Sequence, residues 1–152
     1  PFVWAVGVFV DAPRGEVAEV ARRCGLHALQ FHGQETPEYC RGWWPWRVIK
    51  ALRVAGPEDL AAADRYRVDA LLLDARVPGG PPGGTGRSFP WELARHVPGR
   101  VVLAGGLGPD NLERAVRLAR PWGVDASSRL EAAPGRKDPE LLRRFLQLAR
   151  RL

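Results

Sequence analysis

Three polar side chains stand directly behind apolar, strand-like runs. Asp11 follows residues 2–10, His32 follows 27–31, and Asp74 follows Leu71-Leu72-Leu73. A carboxylate behind three leucines is expected to be partly desolvated, which lifts its pKa from about 3.9 and suits it to donate a proton. The competing reading, equally weighted by position alone, is a turn aspartate accepting from nearby backbone amides. His32 is expected to bind substrate, or to steady Asp74 or a loop carbonyl. His27 lies at the opposite strand end and His96 on a helix, so neither is a candidate.

A second chemistry is anion binding. Gly83-Gly84-Thr85-Gly86 offers backbone amides that can approach a phosphate. It fits neither the Walker A pattern, where Arg87 stands in place of lysine, nor GxGxxG. Gly105-Gly106 and Ser127-Ser128 follow two later strand candidates, and Pro109-Asp110-Asn111 opens a helix. Two successive loops of this kind favour a phosphate site over tight strand-end packing by roughly two to one.

These groups need elements to position them. Short apolar runs at 2–10, 27–31, 47–52, 70–73, 101–104 and 124–127 alternate with amphipathic stretches at 14–24, 36–41, 57–66, 90–95, 109–119 and 139–152. Such βα alternation builds a parallel sheet covered by helices, either doubly wound or closed into a barrel. Glycine and polar residues gather behind the strands, as in a barrel that builds its site at one end. At roughly 25 residues per unit, eight units need about 200 residues. The expectation is therefore six of the eight units of a parallel (β/α)₈ barrel in a single partial domain, 1–152. Trp43, Trp44 and Trp46 read as a packing cluster.

Composition narrows the function classes. The 152 residues suit one core. Residues 2–10, the longest apolar run, have about half the length of a membrane-spanning helix, and no charged leader precedes them. Two cysteines, Cys24 and Cys40, make no disulfide framework, so a cytoplasmic location without membrane association is expected. The net charge of +6 raises nucleic acid as a partner, but the arginines are scattered, and a solvated surface is favoured over a nucleic-acid face. The chain has no methionine and opens Pro1-Phe2-Val3, which suggests initiator processing or a missing upstream part.

Eight motifs carry a family resemblance. Val6-Gly7-Val8-Phe9-Val10, Leu29-Gln30-Phe31-His32-Gly33, Val48-Ile49-Lys50-Ala51, Leu71-Leu72-Leu73-Asp74, Gly83-Gly84-Thr85-Gly86, Leu103-Ala104-Gly105-Gly106-Leu107, Val124-Asp125-Ala126-Ser127-Ser128 and Pro134-Gly135-Arg136-Lys137-Asp138 follow one another in the order of phosphoribosylanthranilate isomerases. The sequence resembles that family over essentially its whole length.

The resemblance implies an Amadori rearrangement in tryptophan biosynthesis, on a small-molecule substrate and without metal or organic cofactor. It makes Asp74 the general acid. It also implies substrate contacts at His32 and Asp11, phosphate contacts at Gly83, Gly84, Gly105, Gly106, Ser127 and Ser128, and a monomer or homodimer. The family's general base is a cysteine on the first strand, which the resemblance places upstream of Pro1 with two βα units. Cys24 and Cys40 are poor substitutes, so the 152 residues alone are expected to be inactive and marginally stable. Arg129 stands where the family usually has glycine, and is expected either to strain the loop or to help hold the anion. The alternatives are another phosphate-binding barrel enzyme acting on a sugar phosphate and a non-catalytic basic binding module.

Overall fold

The computed structural model describes residues 3–75 and 90–151. Gly83 and Gly84 lie outside the described residues. Six strands, β1 (Val6–Phe9), β2 (Ala28–Phe31), β3 (Arg47–Val54), β4 (Ala70–Ala75), β5 (Val101–Leu103) and β6 (Gly123–Val124), form one sheet. Every neighbouring pair is parallel and the strand order is the chain order. This is the strand order of a (β/α)₈ barrel, with six strands among the described residues.

Successive side chains of a strand point to opposite faces, and here both faces are covered. Leu72 joins Ala51 and Ala104 in an inner cluster with Ile49 and Val102. Leu71 and Leu73 face the other way and pack with Leu103, Leu112, Ala115 and Phe145. The three-leucine run is therefore apolar throughout because neither of its faces meets water. Helices α1 (Arg14–Arg23), α2 (Leu112–Ala119) and α3 (Pro139–Ala149) supply the outer layer. Asp138 caps α3, accepting from the amides of Glu140 at 2.8 Å and Leu141 at 3.1 Å, and Pro139 opens its first turn.

Several boundaries differ from the sequence expectation. β1 runs only Val6–Phe9, so residues 3–5 lie before it, because its partner begins only at Ala28. Residues 36–41 form turns instead of a helix, and the Arg14 guanidinium donates to the carbonyls of Tyr39 and Arg41. The stretch 57–66 holds two short 3₁₀ turns, and 90–95 is likewise a 3₁₀ helix, Trp91–His96. A hairpin of β7 (Glu131–Ala133) and β8 (Arg136–Lys137) was not expected, although Pro134-Gly135 is a turn signal and Gly135 has φ 76°. Of the tryptophans, Trp43 is in the core, whereas Trp44 is exposed because it sits on a loop at the edge of that cluster. Among the described residues no helix is long and apolar enough to cross a membrane.

Candidate active site

The carboxyl ends of β2, β4, β5 and β6 converge on a cleft of about 170 Å³. Its walls carry His32, Asp74, Gly105, Gly106, Asp125, Ser127, Ser128 and Arg129. Asp74 lies two residues beyond Leu72, so it continues the inner face of β4 up to the mouth. His32 immediately follows β2, and its Nε2 lies 3.3 Å from Asp74 Oδ2. On the other side of the ring, the Gln30 amide lies 3.1 Å from Nδ1. With that amide donating, Nδ1 accepts and Nε2–H donates to Asp74.

The two anion loops meet on the opposite wall. Gly105 and Gly106 both hold positive φ, 83° and 65°, a backbone that side chains rarely adopt. Asn111 braces this turn, accepting from Gly108 N at 2.9 Å and donating to the Gly106 carbonyl at 2.9 Å. The β7–β8 hairpin supports the serines, because Lys137 Nζ donates to Ser127 O at 2.9 Å and to Glu131 at 2.7 Å. Arg129 adopts no left-handed backbone, so the loop carries no such strain. Its guanidinium grips both oxygens of Asp110, at 2.8 and 2.9 Å, and holds that carboxyl below its ordinary range.

Asp11 is placed differently from His32 and Asp74. It does not line the cleft. Its backbone has φ 50°, and its carboxylate accepts from Gln34 N at 2.6 Å, tying the first loop to the second. Cys24 is exposed at the end of α1, and Cys40 is buried beneath the loops, where desolvation pushes its thiol up to about 11. Neither reaches the cleft. Among the described residues no group of three or more His, Cys, Asp or Glu side chains is placed to hold a metal ion.

Asp125 is the cleft residue that the sequence reading passed over. It follows β6 as Asp74 closes β4, so the same strand-end argument applied to it. The cleft walls desolvate its carboxyl and Asp74 adds like charge, so its pKa is raised although the group keeps solvent contact through the mouth. A carboxyl raised by folding stabilises the protein fully below its unfolded pKa, and this contribution is lost as pH rises through the folded value. Asp125→Asn is therefore expected to gain thermal stability over the parent progressively above about pH 4, with the two melting alike in stronger acid. Scanning calorimetry across pH checks it, and a gap that narrows toward neutral pH would refute the placement.

The geometry has close counterparts among known proteins. A family model described as N-(5'phosphoribosyl)anthranilate (PRA) isomerase matches residues 2–148. The N-(5'-phosphoribosyl)anthranilate isomerase of Geobacter sp. (strain M21) is 52% identical over 154 residues, spanning 100% of this chain and 74% of that protein. Its counterpart in Thiobacillus denitrificans is 51% identical, over 99% and 74%. The crystal structure of phosphoribosyl anthranilate isomerase from Thermotoga maritima superposes with a TM-score of 0.90 at 40% identity, covering 100% of this chain and 75% of that one. A structure of the enzyme in complex with reduced 1-(o-carboxyphenylamino)-1-deoxyribulose 5-phosphate superposes at 0.85 with 37% identity, over 100% and 74%.

Proposed function

Because the chain belongs to the N-(5'-phosphoribosyl)anthranilate isomerase family, we propose that it converts N-(5'-phosphoribosyl)anthranilate to 1-(o-carboxyphenylamino)-1-deoxyribulose 5-phosphate, a step of tryptophan biosynthesis. The observation that carries the reading is the His32–Asp74 contact at the mouth of a cleft whose other wall is two glycine- and serine-bearing loops.

In this reading Asp74 gives its proton to the furanose ring oxygen. The C1–O bond breaks as the nitrogen lone pair forms a C=N⁺ iminium. A base then takes the C2 proton, and the released electron pair forms C1=C2 while the iminium electrons return to nitrogen. The resulting enolamine becomes the ketone when the C2 hydroxyl gives up its proton and C1 gains one. Atoms and charge balance, so the substrate and product are isomers. His32 holds one Asp74 oxygen by its Nε2–H, leaving the protonated oxygen free to face the ring. The described residues supply no cysteine near this point, and the base is not assigned among them.

The phosphate is read as lying against the amides of Gly105 and Gly106 and against Ser127 and Ser128. Gly83 and Gly84 belong to the same proposed set by sequence. Asp11 takes part at one remove, by holding the loop that follows His32. We read residues 1–152 as one domain acting in the cytoplasm, which the two unbridged cysteines support.

Inorganic phosphate tests the reading. It is expected to inhibit competitively with the phosphoribosyl substrate, and in ¹H–¹⁵N spectra to shift the amides of Gly105, Gly106, Ser127 and Ser128. Shifts confined to arginines on the outer helices, without competition, would remove the phosphate assignment.

A further inference from the structure

Lys50 is a charged residue in the middle of an apolar strand. Its neighbours Ile49 and Ala51 pack on the inner face of the sheet, so Lys50 faces outward, beneath the loops. Its side chain and that of Glu35 are each only 2% exposed, and they meet at 2.8 Å between Nζ and Oε2. An ammonium has three donors. Here all three are used: on Glu35, on the Gly33 carbonyl at 2.8 Å and on the Phe31 carbonyl at 3.3 Å.

Glu35 is as fully engaged. Its Oε1 accepts from Asp11 N at 2.8 Å, and its Oε2 accepts from Gly33 N at 2.9 Å as well as from Lys50. Burial raises its pKa, but the hydrogen bonds from Lys50 and the Asp11 amide outweigh burial and keep it ionised. The pair thus grips the loop ends of β1 and β2 from β3. It also holds Asp11 in its left-handed backbone by bonding that residue's amide.

The residue between the two gripped carbonyls is His32. Its own amide donates to Phe9 O at 2.8 Å and the next amide, of Gly33, donates to Glu35 Oε2 at 2.9 Å, so the peptides on both sides of it are hydrogen-bonded into the frame. A buried ion pair is a weak source of stability, and apolar residues of similar volume often replace one at no cost. What such a pair does well is hold directional groups in one arrangement. Catalytic geometry rewards that, since a misplacement of about 1 Å can cost on the order of 10²-fold in rate.

We propose that Lys50 and Glu35 are positioning residues for the isomerase reaction: by fixing the peptides that flank His32, they present its Nε2–H to Asp74. This rests on the reading that His32 and Asp74 stand at the reacting centre.

The experiment uses the full chain and three variants: Asp74→Asn, Glu35→Gln and the double change Lys50→Met with Glu35→Leu. The double variant removes both charges together and so avoids stranding one of them. It is expected to fold, to lose on the order of tenfold in kcat per folded molecule with KM within about threefold, and to lose the Nε2-protonated tautomer signal of His32 in ¹⁵N spectra. Glu35→Gln, isosteric and closer to the parent, is expected to show a smaller loss in the same direction, and it carries the test if the double variant does not fold. Variants that melt earlier but keep the parental kcat per folded molecule and an unchanged His32 spectrum would overturn the proposal, because the pair would then serve stability alone. If Asp74→Asn leaves kcat unchanged, the site reading itself fails. If Asp74→Asn abolishes turnover while the pair variants behave as the parent, only the positioning role fails.

Discussion

Replacing Asp74 by asparagine in the full-length enzyme lowers kcat by about 10²-fold or more while KM stays near the parental value, as expected for loss of a general acid. Asparagine has the same shape and still offers an oxygen to His32 Nε2, now 3.3 Å from the carboxylate. It has no proton of suitable acidity for the ring oxygen. The phosphate loops are untouched, so ground-state binding is retained and the loss falls on the chemical step. Steady-state rates on N-(5'-phosphoribosyl)anthranilate check this. An unchanged kcat would move the acid to Asp125, the other carboxyl on the cleft wall and the one whose pKa is raised.

The largest stability effect is expected at Phe31. Its side chain is 0% exposed, meets Tyr39 edge-on at 5.2 Å and Trp43 at 5.2 Å, and lies 6.4 Å from Phe9. Truncation to alanine removes the centre of this aromatic cluster and leaves a void that the strand cannot close. The cost is about 3–5 kcal/mol. For a chain of this size that lowers Tm by roughly 10 °C or more. Thermal unfolding followed by circular dichroism measures it. A fall of only a degree or two would mean that the cluster repacks freely and that the frame behind His32 is looser than its contacts indicate.

The architecture was legible because parallel strands covered on both faces leave an unmistakable trace: short runs such as Leu71-Leu72-Leu73, each followed by a polar strand end. The same trace located His32 and Asp74. What it could not give was pairing. That β1 begins at Val6 depends on where β2 offers a partner, which no local pattern records. The turns at 36–41 depend on a guanidinium arriving from α1. Asp11 looked equivalent to His32 by position, yet its left-handed backbone turns its carboxylate onto Gln34. Lys50 was a visible anomaly, one charge within Val48-Ile49-Lys50-Ala51, but its meaning lies in Glu35 and in two carbonyls of another strand.

The agreement between strand order and chain order bears on how the molecule assembles. Among the described residues, each of the six strands pairs with its neighbour or neighbours in sequence. Each pairing therefore joins strands adjacent in the chain rather than strands separated by the whole sheet, and loop closure grows costlier with length. During synthesis, β1 and β2 can pair before β3 has emerged, and every later strand finds its template already laid down. Within these six strands growth can run in one direction, from β1 toward β6. The cleft, drawn from β2, β4, β5 and β6, exists only once β6 is in place, so anion binding there would report that this sheet has formed as far as its sixth strand.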